Sequence, residues 1–378
     1  MKNVLITGGA GFIGSNLALA LIGKGYNVTV LDGLSRQIHG EEPYSSPLYL
    51  SIKYKVNFID GTVTSKDDLR AALKGQDAVV HLAAETGTGQ SMYEIEKYTT
   101  VNIGGTALLL DILTNDKSLQ VKKMVIASSR SIYGEGKYQA ADGRIVYPGA
   151  RADADMAKGD FEVKDPITGE HLQLLPTDED SKIHPSSVYG ISKQNQEQMM
   201  LTVGKAISIP AVAFRYQNVY GPGQSLSNPY TGILSIFSTL IKNGKDINIF
   251  EDGKESRDFV FINDVVDATI LGLEKDEANG KVFNVGSGVA TDVLTVANTL
   301  KSAYNSSVSV KVTGNYRLGD IRHNYADLSL IKAQLGFQPK YDFTTGIGLF
   351  ANWVNSQQVQ QSRYEESLAE MKDKGLYK

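Results

Sequence analysis

The chain has 378 residues, of which 42% are hydrophobic and 21% charged, a balance typical of globular proteins rather than disordered ones. Its formal net charge of −4 is too close to neutral for a dedicated nucleic-acid-binding protein. The absence of cysteine excludes disulfides, thiolate metal sites and a cysteine nucleophile. No apolar run reaches the roughly 20 residues that span a bilayer, and the first residues do not form a signal-peptide pattern. We therefore expect a soluble cytoplasmic protein with no nucleic-acid and no membrane partner.

Short apolar runs alternate with helical patterns over the first part of the chain. These runs occupy residues 4–6, 28–32, 58–59, 78–82, 124–127 and 211–214. The first helical pattern follows the first run, where Ile13, Leu17 and Leu21 recur four residues apart. Such alternation predicts parallel strands joined by right-handed crossovers, so the expected fold class is α/β with a doubly wound parallel sheet.

The pattern changes along the chain and suggests three regions. We assign residues 1–220 to the domain that holds the parallel sheet, with a long insertion at about 135–184 that is rich in Gly, Asp and Pro. Residues 221–355 are expected to form mainly a smaller α/β cap domain for substrate, with some segments returning to the main sheet. Residues 356–378 are read as a polar C-terminal tail. Loops as long as the insertion are usually either functional or disordered.

A glycine loop lies between the first predicted strand and the first predicted helix. Gly8 permits a tight turn, Gly11 lets a pyrophosphate approach the backbone, and Gly14 allows the helix to pack closely on the strand. Asp32 ends the second predicted strand, where a carboxylate accepts hydrogen bonds from ribose hydroxyls and repels a 2′-phosphate. The pattern therefore predicts a Rossmann-type domain that binds NAD in preference to NADP.

A tyrosine and a lysine four residues apart are the first candidates for chemistry. Tyr189 and Lys193 would share one face of a helix. An ammonium near a phenol favours the phenolate and lowers the phenol pKa from about 10 towards neutrality. Tyr189 is thus predicted to act as a general acid and base on a substrate hydroxyl, while the nicotinamide exchanges hydride with the carbon.

Several ordered motifs together resemble the extended short-chain dehydrogenase/reductases, specifically the nucleotide-sugar epimerases and dehydratases. The motifs are TGGAGFIG at 7–14, HLAA at 81–84, Asn102, SS at 128–129, YGISK at 189–193, RYQNVYGPG at 215–223, RDF at 257–259, NVG at 284–286 and RLGD at 317–320. The resemblance implies that Ser129 hydrogen-bonds the reacting hydroxyl and completes a catalytic set with Tyr189 and Lys193. It also implies a nucleotide-sugar substrate and a homodimer.

The same resemblance implies which residues bind cofactor and substrate. The expected cofactor contacts are Gly8, Gly11, Phe12, Ile13, Gly14, Asp32, Leu82, Ala83, Ala84, Asn102, Tyr189, Lys193 and Tyr216. The expected substrate contacts are Thr86, Ser131, Asn218, Arg257, Arg317 and Asp320. Asn218 and the two arginine forks are assigned to the diphosphate, whose oxygens suit guanidinium donors. The chain has Thr62 where the family usually has aspartate, so either Thr62 or Asp60 takes the adenine contact.

No metal site is expected, because five scattered histidines and no cysteine form no ligand cluster. The homodimer would form through the helices that begin near Met92 and Tyr189. Three apolar residues, Leu108, Leu109 and Ile112, lie either in that interface or in the core.

The residues after Ser129 bear on the reaction. Related 4,6-dehydratases place Asp-Glu there, whereas this chain has Arg130 and Ser131, which cannot supply that acid and base at neutral pH. Related 3,5-epimerase/reductases use a cysteine, which this chain lacks. Finer features resemble the dTDP-L-rhamnose 4-epimerases, namely ETGTGQS at 85–91, SRSIYG at 129–134, QSLSNPYTG at 224–232 and the insertion. One departure from that resemblance is DPITG at 165–169, which replaces the Cys-Pro-x-Cys-Gly turn expected in the insertion.

The favoured function is therefore NAD-dependent 4-epimerisation of a nucleotide sugar, converting dTDP-L-rhamnose to dTDP-6-deoxy-L-talose. A UDP-hexose 4-epimerase of the glucose/galactose type is the main alternative, and a nucleotide-sugar 4,6-dehydratase is a weaker one. The non-enzymatic alternative is a scaffold protein that senses NAD without catalytic activity. The intact set of Ser129, Tyr189 and Lys193 argues against it.

Overall fold

The computed structural model describes residues 1–226, 228, 232–358, 364–375 and 377–378. The strands are β1 (Asn3–Thr7), β2 (Asn27–Asp32), β3 (Asn57–Asp60), β4 (Ala78–His81), β5 (Lys123–Ser129), β6 (Tyr138–Gln139), β7 (Ile145–Val146), β8 (Gln173–Leu174), β9 (Ala211–Tyr216), β10 (Asn218–Tyr220), β11 (Ile247–Ile249), β12 (Ser256–Phe261), β13 (Val282–Val285), β14 (Ala290–Asp292), β15 (Val310–Val312) and β16 (His323–Asn324). The α-helices are α1 (Phe12–Gly23), α2 (Arg36–His39), α3 (Pro47–Ile52), α4 (Lys66–Leu73), α5 (Ile95–Tyr98), α6 (Gly105–Asn115), α7 (Asp153–Met156), α8 (Val188–Ala206), α9 (Ile233–Lys242), α10 (Ile262–Glu274), α11 (Val293–Ala303), α12 (Ser329–Leu335), α13 (Phe343–Asn355) and α14 (Tyr364–Asp373).

Seven parallel strands form the main sheet, in the order β3-β2-β1-β4-β5-β9-β13. Every residue of β4, β5 and β9 is buried, as expected for strands covered by helices on both faces. The strand order reverses between β1 and β4, which places a crevice at the carboxyl ends of these two strands. The predicted α/β class with a Rossmann-type doubly wound sheet is confirmed.

Two hydrophobic cores lie on opposite faces of this sheet. Side chains alternate along β1, so Val4 and Ile6 join one core while Leu5 joins the other. Helices α1 and α10 cover the first face and pack against each other, whereas α4, α6 and α8 cover the second. The alternation of strand and helix seen in the sequence therefore builds a rigid three-layer support for the crevice.

Two segments beyond residue 220 are part of the main layer structure. β13 pairs with β9 at the edge of the main sheet, and α10 packs on β5 and β9. The remaining strands of this region form small sheets, one of β10, β12 and β14 with β16 beside β12, and one of β11 and β15. None of the helices in the described ranges has the length and apolar character that crossing a membrane requires.

The insertion folds into a three-stranded sheet of β7, β6 and β8, together with α7. Ion pairs fasten it to the region after residue 250. Arg322 has no exposed surface and pairs with Glu162 of the insertion at 2.5 Å and with Glu251 at 2.8 Å. Arg151 of the insertion pairs with Glu251 at 2.7 Å. The insertion is therefore packed against the loops that lead to the smaller sheets.

The C-terminal residues also contact this region. Lys378 and Tyr316 exchange backbone hydrogen bonds of 3.0 and 2.9 Å. On α14, Met371 is only 6% exposed and lies close to Gly89. Of the predicted polar tail, residues 359–363 and 376 lie outside the described residues. The described part of the tail thus packs the apolar side chain of Met371 close to Gly89, in the loop that follows β4.

Candidate active site

A cavity of about 660 Å³ runs along the carboxyl ends of the main-sheet strands. A smaller cavity of about 90 Å³ adjoins it and shares Thr88, Arg130 and Ser131 with it. The predicted site residues that line the larger cavity are Gly8, Gly11, Phe12, Ile13, Gly14, Asp32, Leu82, Ala83, Ala84, Thr86, Ser129, Ser131, Tyr189, Lys193, Tyr216 and Asn218. Arg317 and Asp320 line the smaller cavity together with Ser131.

The glycine loop has the geometry that a dinucleotide pyrophosphate requires. Gly8 has a φ of +68°, and a Cβ there would lie 2.8 Å from the backbone of Ala83. A Cβ on Gly14 would lie 2.4 Å from the carbonyl oxygen of Gly8, so only glycine lets α1 approach the loop. Among the described residues no side chain caps α1 at Gly11, so the first N–H groups of the helix are available to an anion.

Asp32 is fixed on the wall of the larger cavity. Its two carboxylate oxygens accept hydrogen bonds from the backbone N–H groups of Ala10 and Leu34, each at 2.9 Å. Burial raises the pKa of Asp32, and these two bonds oppose that rise. The remaining lone pairs suit ribose hydroxyl donors. Farther along, Thr62 lines the cavity, whereas Asp60 lies outside it and accepts a hydrogen bond from the Tyr44 hydroxyl.

The three predicted catalytic residues meet on one wall of the cavity. Ser129 ends β5, and its Oγ accepts a hydrogen bond from the Ser131 hydroxyl at 2.9 Å. Tyr189 and Lys193 lie one turn apart at the start of α8, with the Lys193 Nζ 6.0 Å from the centre of the tyrosine ring. The Lys193 ammonium donates to the Ala127 carbonyl oxygen at 2.9 Å.

The electrostatics of this wall differ from the prediction in one respect. Burial raises the pKa of Tyr189, while a hydrogen bond with Ser129 and the positive charge of Arg130 oppose the rise. Lys193 was expected to supply that charge. Its ammonium instead bonds the Ala127 carbonyl, and burial lowers the pKa of Lys193 to about 7. The pKa of Tyr189 is therefore raised by burial in this structure, not lowered towards neutrality as predicted, and the charge that opposes the rise is that of Arg130.

Asn102 does not line either cavity, although it was expected to contact the cofactor. Its side chain is buried and bonds both backbone groups of Glu85, accepting from the N–H at 2.7 Å and donating to the carbonyl at 3.1 Å. It also donates to the Ser192 hydroxyl at 2.9 Å. Asn102 thus ties the cavity loop that begins at Glu85 to α8, where Tyr189 and Lys193 lie.

Like Asn102, Arg257 lines neither cavity, although it was expected to contact the diphosphate. Its guanidinium donates to the carbonyl oxygens of Arg322 at 2.9 Å and Ile321 at 2.7 Å, and to the Asp320 carboxylate at 3.2 Å. These bonds occupy most of its donors. Arg257 holds the loop that carries Arg317 and Asp320, so it supports the wall of the smaller cavity from behind.

Among the cavity-lining residues that were not predicted contacts are Arg130, Met92 and Met371. Arg130 lines both cavities and donates from Nε to the Asn218 side-chain oxygen at 2.7 Å. Met92 and Met371 give the smaller cavity an apolar side. Arg130 directly follows Ser129 in the sequence, and this position beside a catalytic residue is the signal that marks it. No local pattern marks Met371, because its partners are remote in sequence.

One motif that resembles the dTDP-L-rhamnose 4-epimerases, QSLSNPYTG at 224–232, is described in part. In the segment 224–232, residues Ser227, Pro229, Tyr230 and Thr231 lie outside the described residues. The described members Gln224, Ser225, Asn228 and Gly232 line the larger cavity.

Comparisons with known proteins agree with this architecture. The family described as NAD dependent epimerase/dehydratase matches residues 4–148 and 165–286, and the unmatched residues 149–164 lie inside the insertion. The dTDP-L-rhamnose 4-epimerase of Burkholderia thailandensis is 38% identical over 356 residues, covering 93% of this chain and 95% of that protein.

Solved structures of nucleotide-sugar 4-epimerases are also similar to this chain. UDP-glucose 4-epimerase of Thermotoga maritima, solved with UDP-glucose, is 28% identical with a TM-score of 0.75, covering 94% of this chain and 99% of that one. UDP-glucuronic acid 4-epimerase of Bacillus cereus, solved with UDP-glucuronic acid and NAD, is 25% identical with a TM-score of 0.75 and the same coverage. The glycine loop and Asp32 of this chain fit NAD, which is the cofactor of the matched family. The chain belongs to the NAD-dependent epimerase/dehydratase family of enzymes.

Proposed function

We propose that the protein is a NAD-dependent 4-epimerase that converts dTDP-L-rhamnose to dTDP-6-deoxy-L-talose. The observation that carries this proposal is the meeting of Ser129, Tyr189 and Lys193 on the wall of a cavity that begins at the glycine loop. The 38% identity to a dTDP-L-rhamnose 4-epimerase supports the choice of substrate.

The side chains on this wall act on the hydroxyl at C4. The residues of the glycine loop and Asp32 would hold NAD, which would supply reversible hydride acceptance at C4, and the 4-keto sugar would have to turn over in the cavity before the hydride is returned to its other face. The Tyr189 phenolate takes the proton of the hydroxyl during oxidation and returns it to the 4-keto oxygen during reduction. Ser129 hydrogen-bonds the same oxygen, and Lys193, anchored on the Ala127 carbonyl, fixes the first turn of α8.

The carboxylates on the cavity walls do not suit dehydration. A dehydratase needs an acid and a base beside the sugar, and among the described residues that line the two cavities only three are acidic. Asp32 lies at the glycine loop, Glu85 pairs with Lys97 at 3.4 Å, and Asp320 pairs with Arg257. The proposed 4-epimerisation, by contrast, needs only Tyr189 as acid and base.

A UDP-hexose 4-epimerase is the second candidate, favoured by the structural likeness to the Thermotoga maritima enzyme. Assays of dTDP-L-rhamnose, UDP-glucose and UDP-galactose in parallel distinguish the two, because a dTDP-L-rhamnose 4-epimerase turns over the first substrate and a UDP-hexose 4-epimerase the other two.

The fate of hydrogen at C4 tests the reaction itself. Substrate deuterated at C4 is expected to give epimerised product that keeps its deuterium, because the same hydride leaves and returns. Unlabelled substrate turned over in heavy water is expected to gain none. Mass spectrometry and NMR of the product provide the measurement. Solvent deuterium in the product, or a 4-keto-6-deoxy sugar formed from a hexose substrate, would contradict the proposed reaction.

We also propose that the protein is a homodimer. Of the two placements expected for Leu108, Leu109 and Ile112, the structure shows the core: Leu109 and Ile112 are buried in it with residues of α4 and α8, and Leu108 packs against it. The exposed apolar side chains near the expected interface are instead Met92, Ile95 and Ile191.

An exposed isoleucine on α5 allows a test of this proposal. Ile95 is 52% exposed, and Ile95→Glu is expected to convert a dimer into a monomer at micromolar concentration, because it buries a charge in the interface. Light scattering after size exclusion measures the mass. Ile145→Glu is the matched control, since Ile145 is 47% exposed on the insertion. A monomeric wild-type protein would overturn the proposal.

A further inference from the structure

We infer that Arg130 is a substrate-binding residue whose guanidinium binds the sugar-linked phosphate of the nucleotide diphosphate. This inference rests on the proposed nucleotide-sugar substrate. It departs from the expected assignment, in which Arg257 and Arg317 are the phosphate-binding arginines.

The position of Arg130 is the first argument. It lies where the two cavities meet, directly after Ser129 at the end of β5. Tyr189 lines the larger cavity and Arg317 lines the smaller one, and Arg130 lines both. In a nucleotide sugar, the phosphate joined to the sugar lies between the reacting ring and the rest of the nucleotide. A group at this junction is therefore placed to meet that phosphate.

The hydrogen bonding of Arg130 is the second argument. Its Nε donates to the Asn218 side-chain oxygen at 2.7 Å, which fixes the plane of the guanidinium. In the part of the chain that the structure describes, this is its one side-chain hydrogen bond to the protein. The two terminal nitrogens therefore keep four N–H donors for a ligand, in the fork geometry that suits phosphate oxygens.

The charges around Arg130 are the third argument. Within the described residues no carboxylate oxygen lies within 4.0 Å of its guanidinium. The acid of the smaller cavity, Asp320, is already paired with Arg257 at 3.2 Å and Arg317 at 3.6 Å. Burial and the charge of Arg257 lower the pKa of Arg130 to about 10, while the charges of Asp320 and Glu135 oppose this shift from beyond ion-pair distance. A partly buried cation beside another cation is stabilised by an anionic ligand.

Arg130 and Arg257 differ in the partners of their guanidinium groups. Arg257 donates to backbone carbonyls and to Asp320 and lines neither cavity, whereas Arg130 lines both. The donors of Arg130 are therefore the ones available to a phosphate in the cavities.

Binding of nucleotides without a sugar tests this inference in the NAD-loaded enzyme. We expect Arg130→Gln to weaken dTDP binding by about 10- to 100-fold, because a charge-assisted hydrogen bond to the second phosphate is lost. Binding of dTMP, which lacks that phosphate, is expected to stay within about twofold of wild type. Arg130→Lys should give an intermediate affinity for dTDP, since it keeps the charge but loses the fork. Isothermal titration calorimetry, with UDP and UMP as a second pair, measures all four ligands.

Binding is the appropriate readout because the charge of Arg130 also acts on Tyr189, so turnover changes for two reasons. Arg70→Gln, on the exposed face of α4, is the control and should leave both affinities unchanged. Unchanged dTDP affinity in Arg130→Gln would overturn the inference, and so would an equal loss for dTDP and dTMP, which indicates a disturbed pocket. Failure of the wild-type protein to bind any of these nucleotides would instead overturn the proposed function.

Discussion

Replacement of Tyr189 by phenylalanine is expected to lower kcat by at least about 100-fold. The substitution removes the hydroxyl that exchanges a proton with the substrate, while the ring keeps its edge-to-face contact with Tyr98 at 6.4 Å. NAD content should therefore match that of the wild type. The measurement is the steady-state rate of epimer formation, with the bound cofactor quantified after release from denatured protein.

An exposed tyrosine provides the control for this experiment. Tyr54 lies on the surface away from both cavities, and Tyr54→Phe should leave kcat unchanged. A Tyr189→Phe enzyme whose turnover stays within a few-fold of wild type would remove Tyr189 from the mechanism. Loss of NAD along with activity would show that the variant has lost its cofactor site rather than its proton donor.

Replacement of Arg322 by methionine is expected to lower the free energy of unfolding by about 3–5 kcal/mol. Arg322 is fully buried and pairs with Glu162 at 2.5 Å and with Glu251 and Asp252 at 2.8 Å. Methionine fills similar space but leaves these carboxylates without their shared cation. Urea-induced unfolding followed by circular dichroism gives the comparison with wild type.

A neighbouring surface lysine provides the matched control for this substitution. Lys254 lies 4.0 Å from the same Asp252 with its side chain 72% exposed, so Lys254→Met should change the unfolding free energy by less than about 1 kcal/mol. Equal effects of the two substitutions would show that burial of Arg322 contributes nothing.

The ion pair between Arg322 and Glu162 predicts that the loss of stability in Arg322→Met depends on pH. A hydrogen bond with His323 and the charge of Arg322 lower the pKa of Glu162 from 4.5 to about 2. A carboxylate with a lowered pKa contributes stability above its unfolded pKa and loses it as the pH falls towards the folded value. The difference between wild type and Arg322→Met should therefore be largest near neutral pH and shrink between about pH 4.5 and pH 2. A difference that does not change over this range would contradict the ion-pair explanation.

The amino-acid sequence by itself determined the features that depend on local pattern. The strand–glycine loop–helix unit follows from an apolar run, the spacing of Gly8, Gly11 and Gly14, and a four-residue helical periodicity. The shared helix face of Tyr189 and Lys193 follows from their spacing alone. These features involve residues within one or two turns of each other, so local backbone geometry is enough to relate them.

The tertiary structure alone decided which side chains reach the cavities. Arg130 and Asn218 are 88 residues apart, and their contact requires β5 to lie beside β9. Asn102 and Arg257 carry motif positions yet support the walls from behind, because the burial of each depends on loops that arrive from elsewhere in the chain. Met371 reaches the smaller cavity through the course of the C-terminal segment. Contacts between distant segments leave no local periodicity, since their energy is gained only when the whole chain has folded around them.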